Sequence, residues 1–565
     1  MLRRFRESPV LLLFVVALAA LAILLLRDLD FGHLQTDVII MRAWMREVGV
    51  EGFTQRYLDV NQRHLLVGPL YTLAYQLFGE NNLPYNVIFV GSRLLQGVFL
   101  GGIVFELTRR RLLAISAGLA LMFTIIRLPE LFQGINWYIE PTLTLLLASS
   151  YVYLLSLREG RFRAGRYALA VALYVISSLI YEAGMPWIAV NALLGYLRRE
   201  GSPSRKRLWL AIRDALLPLG FAVVLALLIL FVFEPWSTLQ PDVSASLGRR
   251  LVDSASTLLT FPLQYVNMAL VTLRDGYALP MVLCAVVAAI SVWLSGRGST
   301  AVHEDPKRDY ARLWLVALAM FAASLLVGVS SGGISPTYLD RITFGRAAGI
   351  SLFWVTLVFA VFDVVRIGEK GAAVAVAVIF AGGGFAWMLT YQDYAHAAFR
   401  EIDRIERGIL ALRPMIYSPV HFVVVTDDDW VGARFVDASD VIVHEVQQRL
   451  WADGADATLD ILHTAAYPEE YATLPGTCDT VSGEYSAGMC FDAETVHTSR
   501  WAFGTTHPLE DLVLVRYDDD AGQFSVVDRL TMDELGAYNI VSVGATQLQT
   551  NPARLAVPLP IEVGG

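Results

Sequence analysis

The chain has 565 residues, of which 55% are hydrophobic and 17% charged, against about 25% charged in a soluble domain. From Arg400 onward there are 27 acidic residues, 10 arginines and no lysine, whereas the preceding 399 residues carry 26 acids and 34 bases. An acidic tail of this kind excludes nucleic acid and an anionic membrane surface as its partners, because both would repel it, and leaves a solvated domain behind an apolar first part.

In chain order, a basic start (Arg3, Arg4, Arg6) precedes the apolar run Val10–Leu26, which closes on Leu-Leu-Leu-Arg-Asp instead of the small residues of a cleavage site. It reads as an uncleaved first helix with its N-terminus inside. Ten further runs can span, near 84–107, 112–127, 134–157, 167–185, 186–198, 209–233, 277–295, 312–329, 348–366 and 371–391. The pair at 167–198 is either two short spans turning at Pro186 or one interrupted element.

Loop charge tests this layout. Alternation from an inside start puts on the inner side Arg109–Arg111, the arginines of 158–166, those of 198–207, Arg297 to Arg312, and Arg366 with Lys370. All three lysines (Lys206, Lys307, Lys370) fall there. About eleven spans then leave the C-terminus outside, and the inner loops read as basic and chemically plain. The first outer loop, 28–83, is long. Its stretches Asp37–Val48 and Leu65–Phe78 fit interfacial helices. Loop 234–276 is also long, and loop 330–347 is rich in Gly and Ser.

The expected architecture is an α-helical polytopic membrane domain, 1–395, and a small α/β domain, 396–565, on the outer face. In the latter a helix is predicted near 394–412, a strand at His421–Thr426, a helix near 440–452, and a hairpin of Asp511–Tyr517 with Gln523–Asp528 around Asp-Asp-Asp-Ala-Gly. Asp427–Asp429 reads as an acidic turn. Nucleotide sugars, which such a triplet could serve through a metal, are cytoplasmic. Cys478 and Cys490, twelve residues apart, either form a disulfide in an oxidising compartment or stay as two buried thiols. Cys284 reads as a core residue, and no Cys/His cluster supports a zinc site.

Charged groups near a bilayer are functional candidates by default. Here they gather on the outer side: Asp28, Asp30 and Asp37 after the first helix, Glu130 in the loop 127–134, Glu140 at the start of the fourth span, Glu182 at the outer end of the fifth, and Tyr338, Arg341 and Arg346 in or beside the loop 330–347. The plainer alternatives are a solvated flank for Asp28, packing partners for Glu140 and Glu182, and snorkelling for the two arginines.

A first helix starting inside, followed by a long outer loop that opens with acids, resembles the membrane glycosyltransferases of the GT-C fold, which include the protein O-mannosyltransferases and the lipid A aminoarabinose transferases. The resemblance covers roughly residues 1–395. It implies that an acid early in the first outer loop is the catalytic base or positions the acceptor, which places Asp30 first and Asp37 second. Leu29 separates Asp28 from Asp30, so the paired acids of many members are absent. It implies a second acidic position, matched by location at Glu130 and Glu140, and a late outer-loop arginine on the lipid phosphate, matched by Tyr338-Leu339-Asp340-Arg341 through Arg346. The implied donor is a polyprenyl-phosphate sugar and the implied acceptor a glycan, lipid or protein. A divalent metal assists some members and not others, and the residues here single out none.

The chemistry is coherent. The arginine pairs with the phosphate as leaving group, and a carboxylate across the anomeric carbon deprotonates the acceptor hydroxyl. The alternatives are a polysaccharide polymerase or ligase, a lipid-linked-saccharide transporter or flippase, and a non-catalytic scaffold. The excess of Arg over Lys, 41 to 3, suggests a GC-rich bacterial source, and hence the bacterial inner membrane.

Overall fold

The structure is a computed structural model. In the first part it describes residues 9–27, 45, 49–55, 57, 65–79, 81–124, 139–158, 163–199, 204–228, 247–274, 276–295, 306–330, 345–393 and 396. In the second it describes 419–426, 457–463, 488–491, 494–500, 503–518, 523–531, 541–542, 547–549 and 551. The chain divides into two compact units, 1–38 with 48–394, and 39–47 with 395–565.

The first unit is helical. Its elements are α1 (Pro9–Arg27), α2 (Val67–Phe78), α3 (Asn82–Thr108), α4 (Arg111–Met122), α5 (Ile139–Ser156) and α6 (Ala164–Ile180). A 3-10 turn (Glu182–Trp187) leads into α7 (Ile188–Arg198), α8 (Ser204–Leu228), α9 (Leu247–Arg274), α10 (Ala278–Ser295), α11 (Pro306–Ser330) and α12 (Arg346–Val364). The last helix, α13, runs Glu369–Asp393 with a π-helical stretch at Ala377–Gly383. Five of these, α3, α5, α8, α12 and α13, are long and apolar enough to cross a membrane, and shorter apolar helices accompany them among the described residues.

Local sequence explains the ends. Asn81 caps α3, its side chain accepting from the Leu83 amide at 3.1 Å, and the helix stops at Arg109 in the left-handed region, φ 61°. Gly97 and Gly101 on α3 face α4 closely, because a Cβ at Gly118 of α4 would lie 2.7 Å from the Gly97 carbonyl. Small residues four apart let two backbones approach where apolar burial offers no drive between helices.

Two departures from the sequence reading have physical causes. The predicted span 112–127 is a helix of 12 residues, α4, or about 18 Å, short of the roughly 30 Å hydrocarbon core. The predicted loop 234–276 contains α9, 28 residues long. Its Leu259, Leu263, Val266, Leu270 and Leu273 form an exposed apolar stripe at helical spacing. Pro262, which reads as a breaker, sits inside it. A helical proline cannot bond the carbonyl four residues earlier, and the Trp354 indole N–H donates to that Leu258 carbonyl at 2.8 Å.

Pro218 in α8 repeats the device. It releases the Asp214 carbonyl, and the Tyr167 hydroxyl donates to it at 2.6 Å. In lipid every freed backbone group has to find a partner. Tyr167→Phe is therefore expected to destabilise the detergent-solubilised protein by about 1–3 kcal/mol, the cost of an orphaned buried acceptor. In a Pro218→Ala background, where the amide returns, the same change should cost little. An unchanged penalty in that background, read from thermal midpoints, would count against the account.

The predicted pair at 167–198 resolves as α6, the turn and α7. Arg166 near the start of α6 donates to the Leu155 carbonyl, and Arg198 at the end of α7 reaches Glu106. Both outer ends of this pair therefore meet the same end of the bundle, and the chain reverses at Pro186.

In the second unit, β1 (Val420–Thr426) lies parallel to both β2 (Ala457–His463) and β6 (Leu512–Asp518), and β6 pairs antiparallel with β7 (Gln523–Val526), for the order β2-β1-β6-β7. The predicted strand at 421–426 and the hairpin 511–528 are both present. A second sheet has the order β5-β4-β3-β9, from β3 (Gly488–Phe491), β4 (Thr495–Arg500), β5 (Phe503–Pro508) and β9 (Val541–Ser542); β8 (Arg529–Thr531) pairs with β10 (Gln547–Gln549). The helices predicted at 394–412 and 440–452, apart from residue 396, the Asp427–Asp429 turn and Cys478 lie outside the described residues, and so does the pairing of Cys478 with Cys490.

Candidate functional site

The bundle has a basic end. Glu106, two residues before the end of α3, is 1% exposed, accepts from Arg158 at 2.7 Å and Arg198 at 3.4 Å, and lies 3.0 Å from the Arg109 guanidinium. Arg110 pairs with Glu369 at 3.3 Å and donates to the Tyr310 hydroxyl at 2.9 Å. Asp214 holds Arg199 and Arg213. The basic segments are thus latched to carboxylates supplied by the helices.

The other candidates lie away from that end. Glu140 is in the first turn of α5, beside Pro141, and is 1% exposed. The fully buried Gln96 of α3 donates to both its carboxylate and its main-chain carbonyl, the latter at 3.1 Å. The buried Arg93 guanidinium lies 3.7 Å from the Glu140 carboxylate and donates to the Thr124 carbonyl at 3.0 Å. The Thr144 hydroxyl contacts the Ser92 and Glu140 carbonyls at 3.0 and 2.8 Å.

Arg93 therefore bridges the end of α4 and the start of α5. A cation suits the carbonyl-rich end of one helix and an anion the amide-rich start of the other. The α4 end is closed further by the Tyr265 hydroxyl, which donates to the Phe123 carbonyl at 2.9 Å. Gly384 of α13 packs against that same carbonyl so closely that a Cβ would collide.

Contacts between neighbouring residues link the elements that carry Glu140, Glu182 and Arg346. The Ser177 hydroxyl of α6 donates to the Thr142 carbonyl at 3.1 Å, and Gly184 in the 3-10 turn packs on Ser177 and Leu146. Glu182 opens that turn and Trp187 closes it. The Trp187 indole donates to Ser150 at 2.9 Å, and its ring abuts Gly345, where a Cβ would come within 2.8 Å. Arg346 follows as the first residue of α12, 3% exposed, so it is enclosed instead of snorkelling outward. The Leu66 amide donates to the Leu179 carbonyl at 3.1 Å, which sets α2 of the first long loop beside the same turn.

Depth follows from helical rise. Glu140, Arg93 and Arg346 lie 13 to 18 residues along their helices from the basic end, which is about 20–27 Å at 1.5 Å per residue. The end of α1 meets the end of α13, as the Gln392 amide donates to the Leu24 carbonyl at 3.0 Å and Arg27 pairs with Asp393.

The elements that carry Glu140, Glu182 and Arg346 are thus linked through their neighbours. Asp28, Asp30, Asp37, Glu130, Tyr338 and Arg341 lie outside the described residues. Arg93 and Gln96 are not singled out by the sequence reading, which looks to the loops. The signal was an arginine inside the apolar run 84–107, itself a functional candidate under the rule applied to the acids.

No protein-family model matches the sequence, and no curated protein does. Among solved structures the chain is similar to the crystal structure of ArnT from Cupriavidus metallidurans in the apo state, with a TM-score of 0.36 and 13% identity over 87% of this chain and 97% of that one. Helices that cross a membrane, joined to a second unit built on short sheets, make this chain an α-helical polytopic membrane protein with a small C-terminal α/β domain.

Proposed function

We propose that this protein is an integral-membrane glycosyltransferase that moves a sugar from a polyprenyl-phosphate donor to an acceptor on the outer face of the bacterial inner membrane, with the basic end of the bundle cytoplasmic and the C-terminal domain outside. The observation that supports the reading is that the buried Glu140 and Arg346 open α5 and α12 at the ends opposite the basic one, while Glu182 opens the turn after α6. A polyprenyl phosphate holds its phosphate at that level while its chain stays among the helices.

In this reading Arg346, with Arg341 and Tyr338, receives the phosphate as it leaves, through charge-assisted hydrogen bonds. Asp30, with Asp37 as second choice, takes the acceptor proton in a single inverting displacement. Glu130, Glu140, Glu182 and Asp28 shape the sugar and acceptor sites. A divalent metal has a place only if activity needs it, which chelation tests.

A second reading has its own support. The buried Arg93–Glu140 pair is the sort of intramembrane charge a lipid-linked-saccharide transporter uses. The two readings part on donor chemistry. Purified protein is expected to release polyprenyl phosphate and glycosylate the acceptor, and Arg346→Gln to raise KM for the donor about tenfold, the loss of one charged hydrogen bond. Failure of the chain to bind any polyprenyl-phosphate sugar would sink the class.

A further inference from the structure

The Glu106 cluster has more donor capacity than its carboxylate can take up. All three guanidinium groups reach Glu106 through a single Nη2 atom, none in the two-pronged fork that arginine adopts with an isolated carboxylate. Five N–H donors per guanidinium meet one acceptor with about four lone-pair sites. The Arg109 and Arg158 side chains are 44% and 39% exposed, so their remaining donors face outward. Three cations around one anion leave a formal excess of two positive charges on these four residues. Three helix ends, of α3, α5 and α7, fix them in place.

The surroundings belong to a membrane surface. Nearby along the chain, α8 opens with Ser204-Arg205-Lys206-Arg207, and directly after these come the exposed Leu208, Trp209 and Ile212. The Arg213 guanidinium lies 5.9 Å from the Trp209 ring centroid. Tryptophan and arginine together at the start of an apolar helix mark the headgroup level.

We propose that Arg109, Arg158 and Arg198, held in register by Glu106, form a binding site for the phosphate of an anionic glycerophospholipid in the leaflet at the basic end of the bundle. The buried carboxylate spaces the guanidinium groups and keeps them from folding onto the helix-end carbonyls. The phosphodiester takes the outward N–H groups, and the acyl chains lie along the exposed leucines. The site is separate from the transfer chemistry and sits at the opposite end of the helices. It rests on the basic end lying at the membrane–water boundary, not on the sugar-transfer reading.

The test is binding of the full chain, purified in a neutral detergent, to phosphatidylglycerol, phosphatidylcholine and inorganic phosphate, read by native mass spectrometry. Preference for phosphatidylglycerol over phosphatidylcholine is expected, with no displacement by millimolar phosphate. Each of Arg109→Gln and Arg158→Gln should lower that preference about fivefold, as one basic residue does near an anionic surface, while Arg158→Lys keeps most of it. Wild-type protein with no preference, or a preference that survives Arg109→Gln together with Arg158→Gln, would overturn the proposal. So would full competition by free phosphate. The wild-type comparison stands even if a variant fails to fold.

Discussion

Asp30→Asn is expected to lower sugar transfer by about 10²–10⁴, the range for loss of a positioned general base. Asparagine keeps the size and a hydrogen-bonding carbonyl but cannot accept a proton at neutral pH, so the variant should fold, bind donor and stall at the chemical step. Asp37→Asn should cost less, because it is the second choice. Asp30 stands three residues beyond Arg27, the end of α1, and Arg27 is tied to Asp393 at the end of α13. Two helices thus fix the root of the segment that carries it. The check is a pair of measurements on one preparation, donor binding and transfer rate. A slow rate with unchanged donor binding supports the assignment, and full transfer by both variants rules out both acids as the base.

The second large effect is on stability. Arg93→Met is expected to destabilise the protein by about 3–5 kcal/mol, because it strands the Glu140 carboxylate in a buried setting. Arg93 also donates to the Thr124 carbonyl, so the α4 end loses a partner within the membrane as well. Arg93→Met combined with Glu140→Gln should recover most of the carboxylate's share, since glutamine is neutral and Gln96 can still meet it. The measurement is a double-mutant cycle of thermal midpoints in detergent, and additive losses would mean that the two side chains do not interact. If Glu140 also contacts substrate, the double variant will be stable and slow.

Much of the bundle was legible because hydropathy and charge act locally. The runs at 84–107, 209–233 and 348–366 are apolar over a membrane's width and became α3, α8 and α12. The short pair at 167–198 divided at Pro186. In the C-terminal domain, the apolar run 512–515 and the Asp-Asp-Asp-Ala-Gly sequence point to the β6–β7 hairpin. What local signals missed depends on distant partners. Nothing near Pro262 announces that the Trp354 indole will take the Leu258 carbonyl, so α9 read as a loop. The early stop of α4 depends on Arg93, Tyr265 and Gly384, which come from three other helices.

For the candidate site the same division holds. Glu140, Glu182 and Arg346 could be picked out because a charge at a membrane boundary needs a reason. The elements that carry them are linked through small residues that carry no chemical signal, Ser177, Gly184 and Gly345. Arg93 was visible in principle, since a lone arginine in an apolar helix is costly, but its pairing to a glutamate 47 positions away is a property of the packed helices.

The most direct test of the central claim follows one molecule of donor. Purified protein is mixed with a polyprenyl-phosphate sugar and an acceptor extract, and lipid and sugar are traced separately by labels on each. The account predicts one polyprenyl phosphate released for each sugar transferred, with the anomeric configuration inverted. Intact donor carried across reconstituted vesicles, with the sugar still on its lipid, would contradict it.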